Sequence, residues 1–406
     1  MKRRVPARAL AALGVIAAIL VSAAPGAAAT GSLPSRLEKA LHAPFVNFSA
    51  SGALVVDLTT GQVVYAHNAG LPLRPASNEK LAVTYAALTA LGPAFRIETD
   101  VLGEGAQEGR RWNGDLVLKG YGDPTLSSAD LAGLARQVRS DGIAFVSGSV
   151  LGDESWFDAH RTAPGWKAAF FVGESPPLSA LIVDRGRVGR FTSHNPALSA
   201  AQMFTKALEH AGVRVAGGAT VGVATDGAVG LASVESPALE AMVHWMDQAS
   251  DNFTAEMLTK ELGAVQAGAG TTAAGLGVVR AQLADAGVPL AGVRMVDGSG
   301  LSLLDRVTPT MLVALLRLMW SDAGLQPELV AALPLAAHTG TLHDRMRGTA
   351  AAGVVRAKTG TTDNSTSLSG FVGDRYVFSV IVNGNPVSWT WSRTAEDRFA
   401  TALAAS

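Results

Sequence analysis

Runs of β-favouring, largely apolar residues mark both ends of the chain. Ser51–Leu58 (SGALVVDL) and Gln62–Asn68 (QVVYAHN) flank Thr59-Thr60-Gly61, which reads as a β-hairpin with a Gly-containing turn. A helical pattern follows from about Ser77 to Leu91, with Gly92 as its stop and Pro93 beyond. Near the other end, Val354–Thr361, Thr366–Val372 and Tyr376–Asn383 read as three short strands, and a terminal helix is expected from about Thr394 to Ala404. Strands at both ends with helices between predict one sheet closed by the two ends of the chain.

The middle differs. Residues 98–230 mix short β-rich runs, such as Asp115–Lys119 and Ala144–Leu151, with amphipathic helices near Ala129–Ser140 and Ala197–Ala211. From Pro237 to Trp320 helices dominate, at about Pro237–Ala249, Phe253–Leu262, Ala273–Ala286 and Thr310–Trp320. The pattern predicts an α/β domain, residues 30–97 and 231–406, interrupted by a smaller inserted α/β domain at 98–230.

Composition agrees with a folded chain. At 406 residues it can bury one large core or two smaller ones, and 48% hydrophobic with 17% charged residues excludes a disordered chain. The 44 glycines follow no collagen-like period. A formal net charge of −1 gives no reason to expect a nucleic-acid partner. The chain has no cysteine, which excludes a disulfide framework, a thiolate metal site and a cysteine nucleophile.

The first segment reads as an address. Lys2, Arg3, Arg4 and Arg8 precede an apolar run from Leu10 to Val21, and Ala27-Ala28-Ala29 offers small residues for cleavage. The rival reading is an uncleaved anchor, but the run is shorter than the ~20 residues a span needs, and Pro25 and Gly26 interrupt its end. Residues 1–29 are therefore expected to be a signal peptide, with the mature protein exported to the cell envelope exterior, secreted or periplasmic, and left without a stable membrane span. Cleavage would remove four positive charges and no negative one, leaving a mildly acidic body.

Three short motifs carry candidate chemistry. Ser77-Asn78-Glu79-Lys80 opens a predicted helix after Pro75, and positions i and i+3 share a face, so the Ser77 hydroxyl and the Lys80 amine can approach. A free serine is a poor nucleophile, and a neutral lysine can take its proton if burial or a nearby cation depresses its pKa. Ser250-Asp251-Asn252 lies between two helical patterns. Ser250 is suited to relay a proton, and the Asn252 amide to hold Lys80 and bind substrate, while Asp251 is read as structural. Lys358-Thr359-Gly360-Thr361 lies in a predicted strand. Lys358 supplies positive charge for a substrate carboxylate and for lowering the Lys80 pKa, and the Thr359 hydroxyl suits the same carboxylate. Gly360 lets a ligand backbone approach, and the Thr361 N–H completes an oxyanion hole with the Ser77 N–H. Each motif is weak alone: S-x-x-K by itself is more often an N-cap serine with a surface lysine.

Together, and in this order, they resemble the S-x-x-K, S-D-N and K-T-G signature of penicillin-binding proteins and class A β-lactamases. The interval from Ser77 to Ser250 is much longer than in class A β-lactamases. It resembles that of the D-Ala-D-Ala carboxypeptidase/endopeptidase family, the low-molecular-mass class C penicillin-binding proteins, which carry domains inserted there. Gly120-Tyr121-Gly122-Asp123-Pro124-Thr125-Leu126, Asp297-Gly298-Ser299-Gly300-Leu301-Ser302, Arg306-Val307-Thr308-Pro309 and the Gly340–Thr361 stretch also resemble that family. The resemblance implies a three-layer α/β/α DD-peptidase/β-lactamase-like domain with a helix-rich subdomain. It further implies peptidoglycan stem peptides as substrate, β-lactam antibiotics as covalent inhibitors, and no metal or organic cofactor. The alternatives are a serine β-lactamase, disfavoured by the long insert, and a weakly active envelope-binding protein, disfavoured by the intact motifs.

Two departures stand out. Family members often carry Arg after D-G-S-G-L-S, where this chain has Leu303, so preference for a charged side-chain terminus is expected to be weak. Arg190 also leads almost directly into the Ala197–Ala211 helix, so the family's third domain is expected to be reduced or absent. His338 and His343 fit no metal-ligand spacing, Glu174 reads as a loop residue, and Trp156, Phe157, Trp166, Phe170 and Phe171 read as core.

Overall fold

The structure, a computed structural model, describes residues 31–406; the expected signal segment at 1–29 lies outside the described residues. Its principal sheet has five strands in the order Val355–Thr362, Ser365–Val372, Tyr376–Asn383, Ser51–Asp57, Val63–His67. All neighbours are antiparallel, and the ladder from Ser51 opposite Val382 to Asp57 opposite Tyr376 joins the two ends of the chain.

Strand period two explains why this sheet is covered on both faces. Leu54 and Val56 point into one apolar core, while Ala53 and Val55 point into another. Along Tyr376–Asn383, Val377 and Ile381 join the first core, and Phe378, Val380 and Val382 join the second. The second core is closed by helices Leu33–Leu41 and Trp389–Ala404, through Leu37, Leu41, Phe399 and Leu403. The first is closed by helices Lys80–Ala90, Leu239–Ala249, Asn252–Ala267, Thr272–Asp285 and Pro309–Ser321. The result is three layers, α/β/α, with the helix-rich layer carrying the first two motifs.

Residues between the two halves build a second, seven-stranded sheet. Glu98–Glu108 is antiparallel to Arg111–Gly120 and to Val229–Glu235, whereas Val150–Asp153 is parallel to Arg111–Gly120 and to Ala219–Val221. Helices Ser128–Ser140 and Pro196–His210 cover it around a separate core that includes Leu116, Leu118, Leu134, Phe204 and Leu208. Its last strand runs to Glu235, past the expected boundary at residue 230. A register shift between Gly230 and Ala232 interrupts the apolar alternation that would have marked the strand.

Several boundaries moved for local reasons. A 3₁₀ turn, Ala76–Glu79, precedes the α-helix at Lys80. Ala144–Leu151 divides into Phe145–Val146 and Val150–Asp153. The terminal helix begins at Trp389 rather than Thr394, with the Trp389 side chain of its first turn exposed. Helices Leu33–Leu41 and Gln326–Ala332 were not anticipated. Among the described residues no helix is long and apolar enough to cross a membrane.

Candidate active site

Ser77 stands on a constrained turn. Ala76 adopts φ +47°, a left-handed conformation that costs an L-residue on the order of 1–2 kcal/mol, so the surroundings must hold it there. They do so through close packing. The Pro75 carbonyl accepts a hydrogen bond from Ser367 Oγ at 2.6 Å. A Cβ on Gly360 would lie 2.2 Å from Ser367 Oγ and 2.8 Å from the Pro75 carbonyl oxygen. Gly360 therefore lacks a side chain where the strand receives the turn that carries Ser77. Gly300 (φ +82°) closes the other side, where a Cβ would fall 1.9 Å from the Ala76 carbonyl oxygen.

Lys80, the first residue of the following α-helix, is wholly buried. Its Nζ lies 2.9 Å from Ser77 Oγ and donates to Asn252 Oδ1 at 2.8 Å and to the Ser299 carbonyl at 2.7 Å. Burial lowers its pKa to about 8, against the opposing pull of Asp297, Asp251, Asp247 and Glu256.

Ser250 ends helix Leu239–Ala249 in a left-handed conformation, φ 57°, and Asp251 caps helix Asn252–Ala267 by accepting from the Thr254 N–H at 2.8 Å. Burial pushes the Asp251 carboxyl up, but the Arg185 guanidinium at 2.7 Å and the capping bonds hold it below the usual carboxylate range. This tight junction delivers Ser250 and Asn252 to the cleft from one turn. Lys358, buried within strand Val355–Thr362, donates to Ser250 Oγ at 2.8 Å and to the Thr359 carbonyl at 3.0 Å. Burial, and then repulsion from Lys80, bring Lys358 down to about 7. Burial is thus the first cause that depresses both lysines.

Ser77, Ser250, Asn252, Thr359 and Thr361 line one cleft of 460 Å³, with Lys80 and Lys358 beneath it. Thr359 Oγ1 donates to Thr341 Oγ1 at 2.7 Å, and Thr361 Oγ1 accepts from Arg393 Nη2 at 3.0 Å. A groove of 520 Å³ between the insert helices Ser128–Ser140 and Pro196–His210 is larger, but none of the motif residues lines it.

The floor is built from carboxyl groups. Asp297 accepts from the Gly300 N–H (2.7 Å), the Ser302 N–H (2.8 Å), Ser299 Oγ (3.1 Å) and Trp166 Nε1 (2.7 Å). Glu256 Oε1 accepts from the Gly298 and Ser299 N–H groups at 3.0 and 2.8 Å. Together they fix the 297–302 loop so that the Ser299 carbonyl faces Lys80. Burial and the neighbouring carboxylates push Glu79 well up, Glu256 to about 8 and Asp305 to about 12, so the site favours the protonated form of these three carboxyls.

Sequence reasoning missed several members of the site. Trp166 is no core residue of the insert; its indole reaches across to Asp297. Glu174 does lie in a loop, but that loop borders the cleft and its carbonyl accepts from Asn252 Nδ2 at 3.1 Å. Arg393, from a part of the chain with no motif, and Arg345, from the approach to the third motif, also line the cleft. The Leu303 carbonyl accepts from Arg74 Nε and Arg306 Nη1, each at 3.0 Å, so guanidinium groups stand beside the position that lacks its own.

The sequence profile of the D-Ala-D-Ala carboxypeptidase 3 (S13) family matches residues 33–190 and 189–406. The chain belongs to that family. Among S13-like relatives, the D-alanyl-D-alanine carboxypeptidase of Actinomadura sp. (strain R39) is 33% identical over 472 residues, covering 93% of this chain and 87% of the relative. Carboxypeptidase DacB of Mycolicibacterium smegmatis is 32% identical, covering 86% of this chain and 79% of that protein. Penicillin binding protein 4 (dacB) of Haemophilus influenzae superposes with a TM-score of 0.81 at 21% identity, over 91% of this chain and 98% of that one. The same protein is also known complexed with a β-lactam. The S13 fold is thus the three-layer architecture described above.

Proposed function

We propose that this chain is a serine-type D-Ala-D-Ala carboxypeptidase, able also to act as an endopeptidase on peptidoglycan, with Ser77 as its covalent nucleophile. The observation that carries the reading is the convergence on one buried amine. Lys80 Nζ touches Ser77 Oγ while Asn252 and the Ser299 carbonyl hold it, and Lys358 holds Ser250 on the opposite wall.

The chemistry follows from these contacts. Neutral Lys80 takes the Ser77 proton as Oγ attacks the carbonyl carbon of the penultimate D-Ala. The Ser77 and Thr361 N–H groups receive the oxyanion. Ser250 passes a proton to the departing amine, the C–N bond breaks, and D-Ala leaves. Water then attacks the acyl-enzyme, and the ester bond to Ser77 breaks with return of the proton to Oγ. Thr359 and Thr361 present hydroxyls to the substrate's terminal carboxylate. Lys358 acts chiefly by orienting Ser250.

We extend the reading to the rest of the chain. Residues 1–29 act as an export signal, and the insert is a distinct unit, supported by its separate sheet and core. The family's third domain is read as reduced or absent. The alignment to the Actinomadura carboxypeptidase is longer than this whole chain, and a two-stranded hairpin at Arg187–Thr192 leads straight to helix Pro196–His210.

The experiment is covalent labelling. Incubation with labelled penicillin and peptide mass mapping should place the adduct on the peptide containing Ser77. An adduct elsewhere, or none on folded protein, removes the mechanism. Rapid loss of the adduct as hydrolysed penicillin would favour a β-lactamase instead.

A further inference from the structure

Carboxypeptidase action requires recognition of a free terminal carboxylate, and Lys358 is poorly placed to supply the charge. It is wholly buried, and its hydrogen bonds go to Ser250 Oγ and the Thr359 carbonyl. Its burial, and then its neighbour Lys80, weaken its hold on a proton.

Other cations around the cleft are already committed. Arg345 pairs with Glu396 at 2.9 Å and Asp397 at 2.7 Å. Arg347 pairs with Asp344, Lys167 with Asp363, and Arg185 with Asp251. Arg393 has no carboxylate partner among the described residues. It is exposed, lines the cleft with Ser77 and Thr361, and its Nη2 donates to Thr361 Oγ1 at 3.0 Å. Its guanidinium carbon lies 5.7 Å from the centroid of the Trp389 ring, and Trp389 is itself fixed by donating from Nε1 to the Thr362 carbonyl at 2.9 Å. One guanidinium donor is occupied by a neutral hydroxyl and the others remain for a ligand.

We propose that Arg393, on the C-terminal helix, is the permanent cation that receives the substrate's terminal carboxylate at the rim, beside the Thr359 and Thr361 hydroxyls. It is a specificity residue, and the assignment rests on the carboxypeptidase reading above. The planar fork of an arginine suits two-point contact with a carboxylate, and its charge persists across the working pH range. Placing this charge on the rim leaves Lys358 free to orient Ser250.

The test compares an N-acyl-D-Ala-D-Ala peptide with its C-terminal amide, by kcat/KM, in wild type, Arg393→Ala and Arg393→Lys. Wild type should prefer the free acid. Arg393→Ala should lose about 10- to 100-fold on the acid, as expected for one charge-assisted bond, and change by less than about twofold on the amide. Arg393→Lys should recover part of the loss on the acid. A structural role through Trp389 predicts equal losses on both peptides; that outcome overturns the assignment, as does an unchanged acid-to-amide ratio. Failure of the underlying reading appears separately, as wild-type protein that cleaves neither peptide and takes no penicillin label on Ser77.

Discussion

The floor and the rim of the cleft solve opposite problems. The floor is buried, and Glu79, Glu256, Asp305 and the two lysines shift toward their neutral forms because burial penalises charge. The rim, made by Thr359, Thr361, Thr341 and Arg393, lines the cleft with hydroxyls and a guanidinium. A base must be able to lose a proton, whereas an anchor must keep its own. Burial depth separates the two tasks within one short strand: Lys358 faces the floor, while Thr359 and Thr361 face the rim.

The largest expected effect lies on the floor. Lys80→Met keeps the side-chain volume and removes the base, so acylation by penicillin should fall by roughly 10³-fold or more while Arg393→Ala falls far less. Stopped-flow or gel-based labelling rates would measure this. Wild-type acylation by Lys80→Met would leave another group as the base.

Next comes pH dependence. The active form of Lys80 is the deprotonated one, and its pKa is about 8. The acylation rate constant should therefore climb about tenfold per pH unit below 8 and level off above it. A flat profile from pH 6 to 9 would dissolve the contrast between the two regions.

The smallest effect is on stability. Glu256 has its pKa raised on folding, first by burial and then by Asp297, to about 8. A raised acid stabilises the fold fully below its unfolded pKa near ~4.3 and loses that contribution as pH rises through the folded value. Glu256→Gln retains an acceptor for the Gly298 and Ser299 N–H groups and carries no such penalty. The variant should match wild type near pH 4 and melt about 2–4 °C higher at pH 8, by differential scanning fluorimetry. Equal melting curves at pH 8 would show that the floor is not proton-dependent.

Much of this was legible in the chain. Ser77, Lys80, Ser250, Asn252, Lys358, Thr359 and Thr361 meet in one place, and the hairpin at 51–67 and the three C-terminal strands fall within a residue or two of expectation. These elements are governed by local patterning. What escaped notice depends on packing between distant segments. Nothing near Trp166 signals that its indole will reach Asp297, and nothing in the helix Trp389–Ala404 marks Arg393 as part of a cleft. Gly360 shows the limit from the other side. Its presence in the third motif was plain, but its reason, the close passage of Pro75 and Ser367, exists only once the strand meets the nucleophile turn.

The pairing of Ser51–Asp57 with Tyr376–Asn383 has a consequence for how the molecule comes into being. A ribosome releases Ser77 and Lys80 early, but their turn is braced by Gly360 and Ser367, which are among the last residues made. Contacts so distant along the chain form slowly, because a long loop must close before they yield any gain. Until synthesis is nearly finished Ser77 has no strand Val355–Thr362 beside it, no Lys358 and no rim. A chain stopped short of residue 355 should therefore be an inert protein rather than a weakened enzyme, and activity should appear all at once when the last strands take their place.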